Sequence, residues 1–255
     1  MKYVNETITY SSSLIANVKD FSSETHVHSC YEMLFVFSGE GSFIIEDSEY
    51  LVRENSFFVI PPGKYHVMKI NNGCDYNRCV INFAPEIIAS FLGKKISFHQ
   101  IADDKIRSLL EKTEEYVEKY NQDAINVLLP AIINEILICA TYDEGENNNE
   151  RQDVPLLVKK AIEYVKDNLN LSLSAESIAE ALFVSKAHLS HLFSKTMGVG
   201  IMHYVSIKKA YKARSLLRKG FSVKEVCDSL GYGSYTTFLR NYRDHFGTNP
   251  SEVSK

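Results

Sequence analysis

The first third of the chain alternates short apolar runs with turn-forming residues. Between about residue 24 and residue 83 the turn residues cluster at positions such as 38–41, 53–55 and 61–63. Many short strands at near-regular spacing are typical of an antiparallel β-sandwich or barrel. The pattern therefore predicts a β-domain built from runs such as Met33–Phe37, Phe43–Ile45 and Phe57–Ile60.

From about Asp103 the apolar period becomes helical. Apolar residues recur every three or four positions in two successive stretches, which indicates two amphipathic helices. We expect these helices to pack on each other and on the sheet, and to end a first domain that spans residues 1–142. The two stripes consist of Ile106, Leu109, Leu110, Thr113 and Val117, and of Ile125, Leu128, Leu129, Ile132, Ile133, Ile136 and Leu137.

Residues 143–153 contain no apolar side chain, which predicts a solvated, flexible linker. Everything after the linker has a helical pattern, so residues 154–255 form a second domain. The predicted fold class is a multidomain β + α protein: a β-barrel with two trailing helices, then an all-α domain.

Composition is that of a globular protein, with 45% hydrophobic and 24% charged residues. No uninterrupted apolar run reaches the roughly 18 residues of a membrane span, and the N-terminus lacks a signal-peptide pattern. The five cysteines are an odd number and contain no C-x-x-C pair. We therefore expect a reducing, cytoplasmic location and no membrane partner.

The net charge of −4 conceals an asymmetry between the two halves. Residues 1–150 hold 12 Lys+Arg against 23 Asp+Glu, a net charge of −11. Residues 151–255 hold 16 Lys+Arg against 9 Asp+Glu, a net charge of +7. An acidic half joined to a basic half suggests two tasks, with the basic half meeting a polyanion.

The basic half contains an internal repeat. Ile178, Leu182 and Val184 recur 48 positions later as Val226, Leu230 and Tyr232, whereas Phe193, Met197 and Gly198 recur 49 positions later as Tyr242, Phe246 and Gly247. Each copy predicts a short helix, a tight turn and a longer helix that begins after a serine N-cap, Ser185 or Ser234. This arrangement is the helix-turn-helix, and its second helix enters the major groove of DNA.

The segment between the two copies, residues 200–219, predicts one continuous basic helix. Its ~20 residues would span about 30 Å, close to the ~34 Å between successive major grooves on one face of DNA. Both recognition helices can therefore enter adjacent grooves together. The basic residues are Lys208, Lys209, Lys212, Arg214, Arg218 and Lys219.

The last 100 or so residues resemble the DNA-binding domain of the AraC/XylS family. The first unit carries Ser185-x-x-His188-Leu189-x-x-x-Phe193-x-x-x-x-Gly198, and the second carries Gly231-Tyr232-x-Ser234-Tyr235-x-x-Phe238-x-Arg240-x-Tyr242-Arg243-x-x-Phe246-Gly247-x-x-Pro250. Family members usually place Tyr-Arg just after that proline, where this chain has Val253-Ser254. The resemblance implies a sequence-specific, DNA-binding transcription regulator rather than an enzyme.

In such regulators the exposed early positions of each second helix reach base edges. Arg240 is the strongest candidate for a base-specific contact, because a guanidinium can donate hydrogen bonds to both O6 and N7 of a guanine. Lys212 is a candidate phosphate contact. The implied DNA-binding residues are Ala187, His188, Ser190 and His191 in the first copy, and Tyr235, Thr236, Leu239, Arg240 and Arg243 in the second. Leu189, Phe193, Phe238, Tyr242 and Phe246 are expected in the core.

The first domain resembles the cupin β-barrel. His26-x-His28-x-x-x-Glu32 followed by Gly39 is similar to the first cupin motif, and Pro61-Pro62-Gly63-x-x-His66 is similar to the second. His26, His28, Glu32 and His66, with Tyr31, are candidates for an effector-binding pocket. The first four residues are also candidate ligands for a divalent metal, although no cofactor is expected to be required. His99 lies outside both motifs and is expected at the surface or a boundary.

Two further expectations concern partners. The apolar stripe within residues 122–142 suggests a homodimer, unless the domain's own core covers that stripe. Double-stranded DNA and a small-molecule effector are the expected ligands, with RNA polymerase as a further candidate partner. The alternative is a metal-dependent cupin enzyme that carries a DNA-binding appendage.

Overall fold

The computed structural model describes residues 2–5, 7–23, 27–91, 98–142 and 151–253. Within it the chain forms two compact units, Met1–Gln152 and Asp153–Lys255. The division between the units falls at the end of the predicted linker.

The first unit contains two antiparallel sheets. The larger sheet has the strand order β1-β2-β8-β3-β6-β9, and the smaller has the order β10-β5-β4-β7. The strands are β1 (Lys2–Val4), β2 (Ile8–Ile15), β3 (Tyr31–Ser38), β4 (Gly41–Ile45), β5 (Ser48–Val52), β6 (Ser56–Ile60), β7 (His66–Ile70), β8 (Tyr76–Phe83), β9 (Phe98–Ile101) and β10 (Arg151–Asp153).

Each face of the larger sheet supports a separate core, because alternate residues of a strand point to opposite faces. On β3, Leu34 and Val36 face the smaller sheet and meet its Phe43 and Met68. Their neighbour Phe35 faces the other way, into a core shared with two helices. These helices are α1 (Asp104–Lys119), which Asp103 caps by accepting a hydrogen bond from the Ile106 amide, and α2 (Gln122–Tyr142).

The predicted β-domain with two trailing helices is thus confirmed. The apolar stripe of α2 packs inside this domain: Leu129, Ile132, Ile133, Ile136 and Leu137 are buried and Leu128 is half-buried. By length and hydropathy alone, residues 122–141 could also cross a membrane, but 44% of that window is buried in the fold. The stripe therefore no longer supports the homodimer; among the side chains described on α2, Val127 and Ile138 are the large apolar ones that are exposed.

Several elements of this unit differ from the sequence expectation. Strands β1, β2 and β9, and a 3-10 helix η1 (Pro85–Phe91), lie outside the predicted strand region. Residues 151–153 form β10, although the sequence places them in the linker; residues 143–150 lie outside the described residues. The expectation for His99 is wrong, because its ring is buried and stacks on Phe58 with centroids 4.4 Å apart.

The second unit contains six helices and a 3-10 turn within residues 153–253. They are α3 (Leu156–Asp167), α4 (Ala175–Ala181), α5 (Lys186–Met197), α6 (Ile201–Arg218), α7 (Val223–Ser229), α8 (Tyr235–Phe246) and η2 (Pro250–Glu252). The pairs α4–α5 and α7–α8 are the predicted helix-turn-helix units, joined by the predicted long helix α6. At 18 residues, α6 is about 27 Å long.

The repeat is visible in the helix ends. Ser174 and Ser222, 48 residues apart, each begin the first helix of a unit with a reciprocal capping box. The second helices end in the same way, at Gly198 and Gly247, with left-handed φ values of 74° and 67°. The predicted cores are also present: Leu189, Phe193, Phe238 and Tyr242 are buried, and Phe246 packs at the edge.

A buried lysine on α6 connects the two helix-turn-helix units. The Lys209 side chain is 6% exposed. Its Nζ donates to the carbonyl oxygen of Leu171 at 2.7 Å, ahead of the first unit, and to that of Gly231 at 3.3 Å, in the turn of the second. The ammonium also lies 5.1 Å from the ring centroid of Tyr232. We call these contacts the Lys209 bridge.

Gly231 approaches the Leu171 loop too closely for any side chain. A Cβ on Gly231 would lie 2.4 Å from the carbonyl oxygen of Asn170, and the residue has a φ of +57°. We predict that Gly231→Ala destabilises the helical unit by about 2 kcal/mol or more, because backbone strain adds to a backbone clash. Thermal unfolding of the full chain, followed by helical circular dichroism, measures the change.

Gly233→Ala is the matched control, two residues away in the same turn. A Cβ there meets nothing within 4 Å, so the cost should stay below about 1 kcal/mol. Equal losses of stability in the two variants would show that the Gly231 contact does not hold the units together.

Candidate nucleic-acid interface and barrel cavity

The first recognition helix, α5, begins at a serine cap. The Ser185 hydroxyl accepts a hydrogen bond from the His188 amide at 3.2 Å, as predicted. Leu189 and Phe193 anchor the helix in the core and so fix which face remains outside. On that outer face Ala187, His188 and His191 are exposed and Ser190 is half-buried.

The second recognition helix, α8, repeats this arrangement with larger side chains. The Ser234 hydroxyl accepts from the Thr237 amide at 3.1 Å, which satisfies one free donor of the first turn. Tyr235, Thr236, Arg240 and Arg243 are exposed, whereas Leu239 is half-buried and packs on the core. Arg243 Nη2 donates to Asn249 Oδ1 at 3.0 Å, so this arginine also supports the segment after the helix.

A network of hydrogen bonds connects α8 to α6. Asn241 accepts from the Ser206 hydroxyl at 2.7 Å and donates to the Tyr232 hydroxyl at 2.6 Å. Ser206 Oγ also lies 3.1 Å from His245 Nε2. Burial, with His203 nearby, lowers the pKa of His245, which favours the neutral ring that such packing requires. The network fixes the rotation of α8 and hence the direction of its exposed face.

The basic residues of α6 do not share one role. Lys212 is exposed and remains available to a phosphate. Arg214 lies over the Phe246 ring at 4.6 Å, and Lys208 lies over the Tyr204 ring at 5.5 Å. Lys209 is buried in the bridge, and burial lowers its pKa. Lys209, one of the basic residues of the predicted helix, is therefore not exposed to DNA.

In the first unit a cavity of about 230 Å³ opens between the two sheets. Its apolar lining comes from Phe21, Leu34, Phe43, Met68, Tyr76 and Val80, and its polar lining from Ser11, Ser23, His28, Glu32, His66, Arg78 and Asn82. Three of the residues singled out in the two cupin-like motifs are in this set. Burial raises the pKa of Tyr76 to about 12, so its hydroxyl is protonated at neutral pH.

Glu32 joins the two cupin-like motifs within the cavity. One oxygen, Oε2, lies 2.8 Å from His28 Nε2, and the other, Oε1, lies 3.6 Å from His66 Nε2. His66 Nδ1 lies 3.0 Å from the Lys64 carbonyl, which assigns the proton to Nδ1 and directs Nε2 into the cavity. Donor atoms of the three side chains lie within 4.8 Å of one another, so they could hold a divalent cation.

Two residues expected in the cavity, His26 and Tyr31, are not among its described lining residues. His26 lies outside the described residues. The expectation for Tyr31 is corrected: its ring stacks on Phe83 in the core that faces the helices, 5.5 Å between centroids. Because Tyr31 and Glu32 are adjacent on β3, their side chains point to opposite faces. Arg78 and Asn82 also line the cavity, and neither motif contains them; they alternate with core residues on β8.

Each of the two parts of the chain matches a known protein domain. A cupin domain matches residues 16–80, and a helix-turn-helix domain matches residues 178–255. The chain is 25% identical over 252 residues to the Uncharacterized HTH-type transcriptional regulator YfiF of Bacillus subtilis, a match that covers 92% of this chain and 80% of that protein.

Two further matches are shorter or more distant. The HTH-type regulator YijO of Escherichia coli is 35% identical over 95 residues, which cover 36% of this chain and 33% of that protein. The crystal structure of ToxT from Vibrio cholerae O395 aligns over 97% of both chains with a TM-score of 0.39 and 15% identity.

Paired recognition helices on a basic unit and the helix-turn-helix match define a DNA-binding transcription regulator. A cupin domain ahead of tandem helix-turn-helix units is the domain order expected from the resemblance to AraC/XylS-type regulators. The predicted fold class and the predicted function in DNA-binding transcription regulation are confirmed.

We predict that Arg240→Ala relaxes base preference at one operator position, by about 1–3 kcal/mol of discrimination. Affinities for an operator selected from random duplexes, and for its single-base variants, measure the effect at fixed salt. Lys212→Ala is the control, because loss of a phosphate contact should weaken every sequence alike and reduce the salt dependence. Uniform loss on all sequences with Arg240→Ala would place Arg240 on the phosphate backbone instead.

Proposed function

We propose that this protein is an effector-responsive regulator, in which a small molecule bound in the barrel cavity alters DNA binding by the helical unit. The observation that carries this proposal is the cavity itself, with His28, Glu32 and His66 converging at one place in it. Buried polar side chains around a cavity are typical of small-molecule sites.

The recognition helices make the contacts with DNA. We propose that Arg240, Thr236 and Tyr235 provide most of the base contacts, because their side chains are exposed at the start of α8. The α5 face offers Ala187, His188, Ser190 and His191, which are smaller or less strongly charged. We expect α5 to contribute mainly register and groove fit, with Leu239 and Arg243 at the edge of the α8 contact.

The protein acts in the cytoplasm, without enzymatic turnover, and no metal is required for DNA binding. The three cavity side chains would then form one polar edge of the effector site. Metal analysis of protein purified without a histidine tag checks this, with His66→Ala as the comparison. We further propose that the protein works as a homodimer through a surface other than the buried α2 stripe, with RNA polymerase as a partner at the promoter.

The proposal predicts that effector binding changes operator affinity by about 5- to 150-fold, the usual range of allosteric coupling. Fluorescence anisotropy with a selected operator, with and without the small-molecule filtrate of a bacterial lysate, measures this change. Val80→Phe places a larger side chain in the cavity and should abolish the response while leaving basal operator affinity unchanged.

Val4→Phe is the control, because Val4 is exposed on β1 and does not line the cavity. This variant should respond as the wild type does. A Val80→Phe protein that still responds fully would move the effector site away from the barrel. A wild-type protein indifferent to every filtrate would contradict effector control.

A further inference from the structure

Strand β8 contributes four side chains to the barrel cavity. Tyr76, Arg78, Val80 and Asn82 alternate along the strand and therefore share one face, whereas Cys79, between two of them, faces the helices. Arg78 and Asn82 are four residues apart, about 13 Å along the strand. They consequently mark two separated positions along the cavity wall.

Arg78 supplies a positive charge within this wall. Its guanidinium lies 4.8 Å from the Tyr76 ring centroid and 5.5 Å from that of Phe21, which holds the group between two aromatic faces. Its Nη1 atom is buried and has no hydrogen-bond partner among the described residues. A buried donor on a permanently charged group is costly to leave unbonded, so this atom is suited to a ligand acceptor.

The other position presents acceptors. Asn82 Oδ1 is likewise buried with no hydrogen-bond partner in the described part of the chain. Asn82 is directly paired with Glu32 on β3, so the two side chains are neighbours on the cavity face. Glu32 Oε2 already lies 2.8 Å from His28 Nε2, whereas Asn82 Oδ1 has no such partner in the described ranges, so Asn82 Oδ1 is the acceptor best placed for a ligand donor.

The wall between these positions is apolar. Leu34 on β3 is paired with Val80 on β8, and both line the cavity. At about 230 Å³ the cavity is smaller than the ~300–1,000 Å³ typical of drug-sized ligands. It therefore suits a small, elongated molecule with an apolar body and a polar group at each end.

We propose that the effector is a small hydroxylated organic carboxylate. Its carboxylate accepts from Arg78 Nη1, its apolar body lies against Leu34 and Val80, and its hydroxyl donates to Asn82 Oδ1. The negative Glu32 sits at the hydroxyl end, beside His28, and so away from the ligand carboxylate. This inference rests on the proposed effector function and adds the chemical class of the ligand.

Isothermal titration of the full chain tests the ligand class. The probes are para-hydroxybenzoate, para-hydroxyphenylacetate, para-coumarate and omega-hydroxyhexanoate, each beside its uncharged primary amide. At least one carboxylate should bind, and its amide should bind about 10- to 100-fold more weakly, since a hydrogen bond to a charged group is lost. Arg78→Met should remove this preference for the carboxylate.

Two further variants keep the test decisive. Arg53→Met removes an exposed arginine of the same unit and should bind the probes as the wild type does. Should Arg78→Met not fold, Arg78→Lys retains the charge but loses the planar fork. The lysine variant should bind more weakly yet still prefer each carboxylate to its amide.

The outcomes separate this inference from the function on which it rests. Amides that bind as tightly as carboxylates, or an Arg78→Met protein that keeps the preference, would overturn the role of Arg78 but leave the cavity as an effector site. Failure of every carboxylate to bind would overturn the ligand class. The filtrate titration with Val80→Phe decides separately whether the barrel responds to any small molecule.

Discussion

A single buried ammonium organises the DNA-binding unit. Lys209 Nζ joins the Leu171 carbonyl, ahead of the first helix-turn-helix, to the Gly231 carbonyl in the turn of the second. Loss of either hydrogen bond would leave a buried polar group without a partner, which is costly in free energy in a protein interior. Because Lys209 sits midway along α6, the bridge ties both units to the one helix that separates them. The bridge therefore acts together with the Ser206–Asn241 hydrogen bonds, which connect α6 to α8.

In the barrel, one strand similarly serves two environments. The β8 residues Cys79 and Ile81 complete the core beneath α1 and α2, whereas Arg78 and Val80 face the cavity. A ligand against β8 therefore contacts the strand on which the domain's helices pack. A polar network in the cavity and an apolar core on the other face can coexist because a strand alternates its side chains.

Features that depend on neighbours in sequence could be predicted. The Ser185 and Ser234 caps, the late glycines and the helical stripes are local signals, and the structure shows each of them. Arg78 could not be recognised, since its importance comes from aromatic rings and a cavity supplied by distant segments. For the same reason, the burial of Lys209 could not be predicted from its sequence neighbours. The burial of His99 depends on stacking against Phe58, which is distant in sequence.

Both recognition helices of one chain are expected to engage DNA together, in one fixed arrangement. Insertion of about five base pairs between the two operator segments that α5 and α8 of one chain contact rotates one segment by roughly half a helical turn. Operator affinity of the full chain is the measurement. We expect a loss of more than about tenfold, since one helix no longer reaches its bases. Equal affinity for the original and the expanded operator would contradict it.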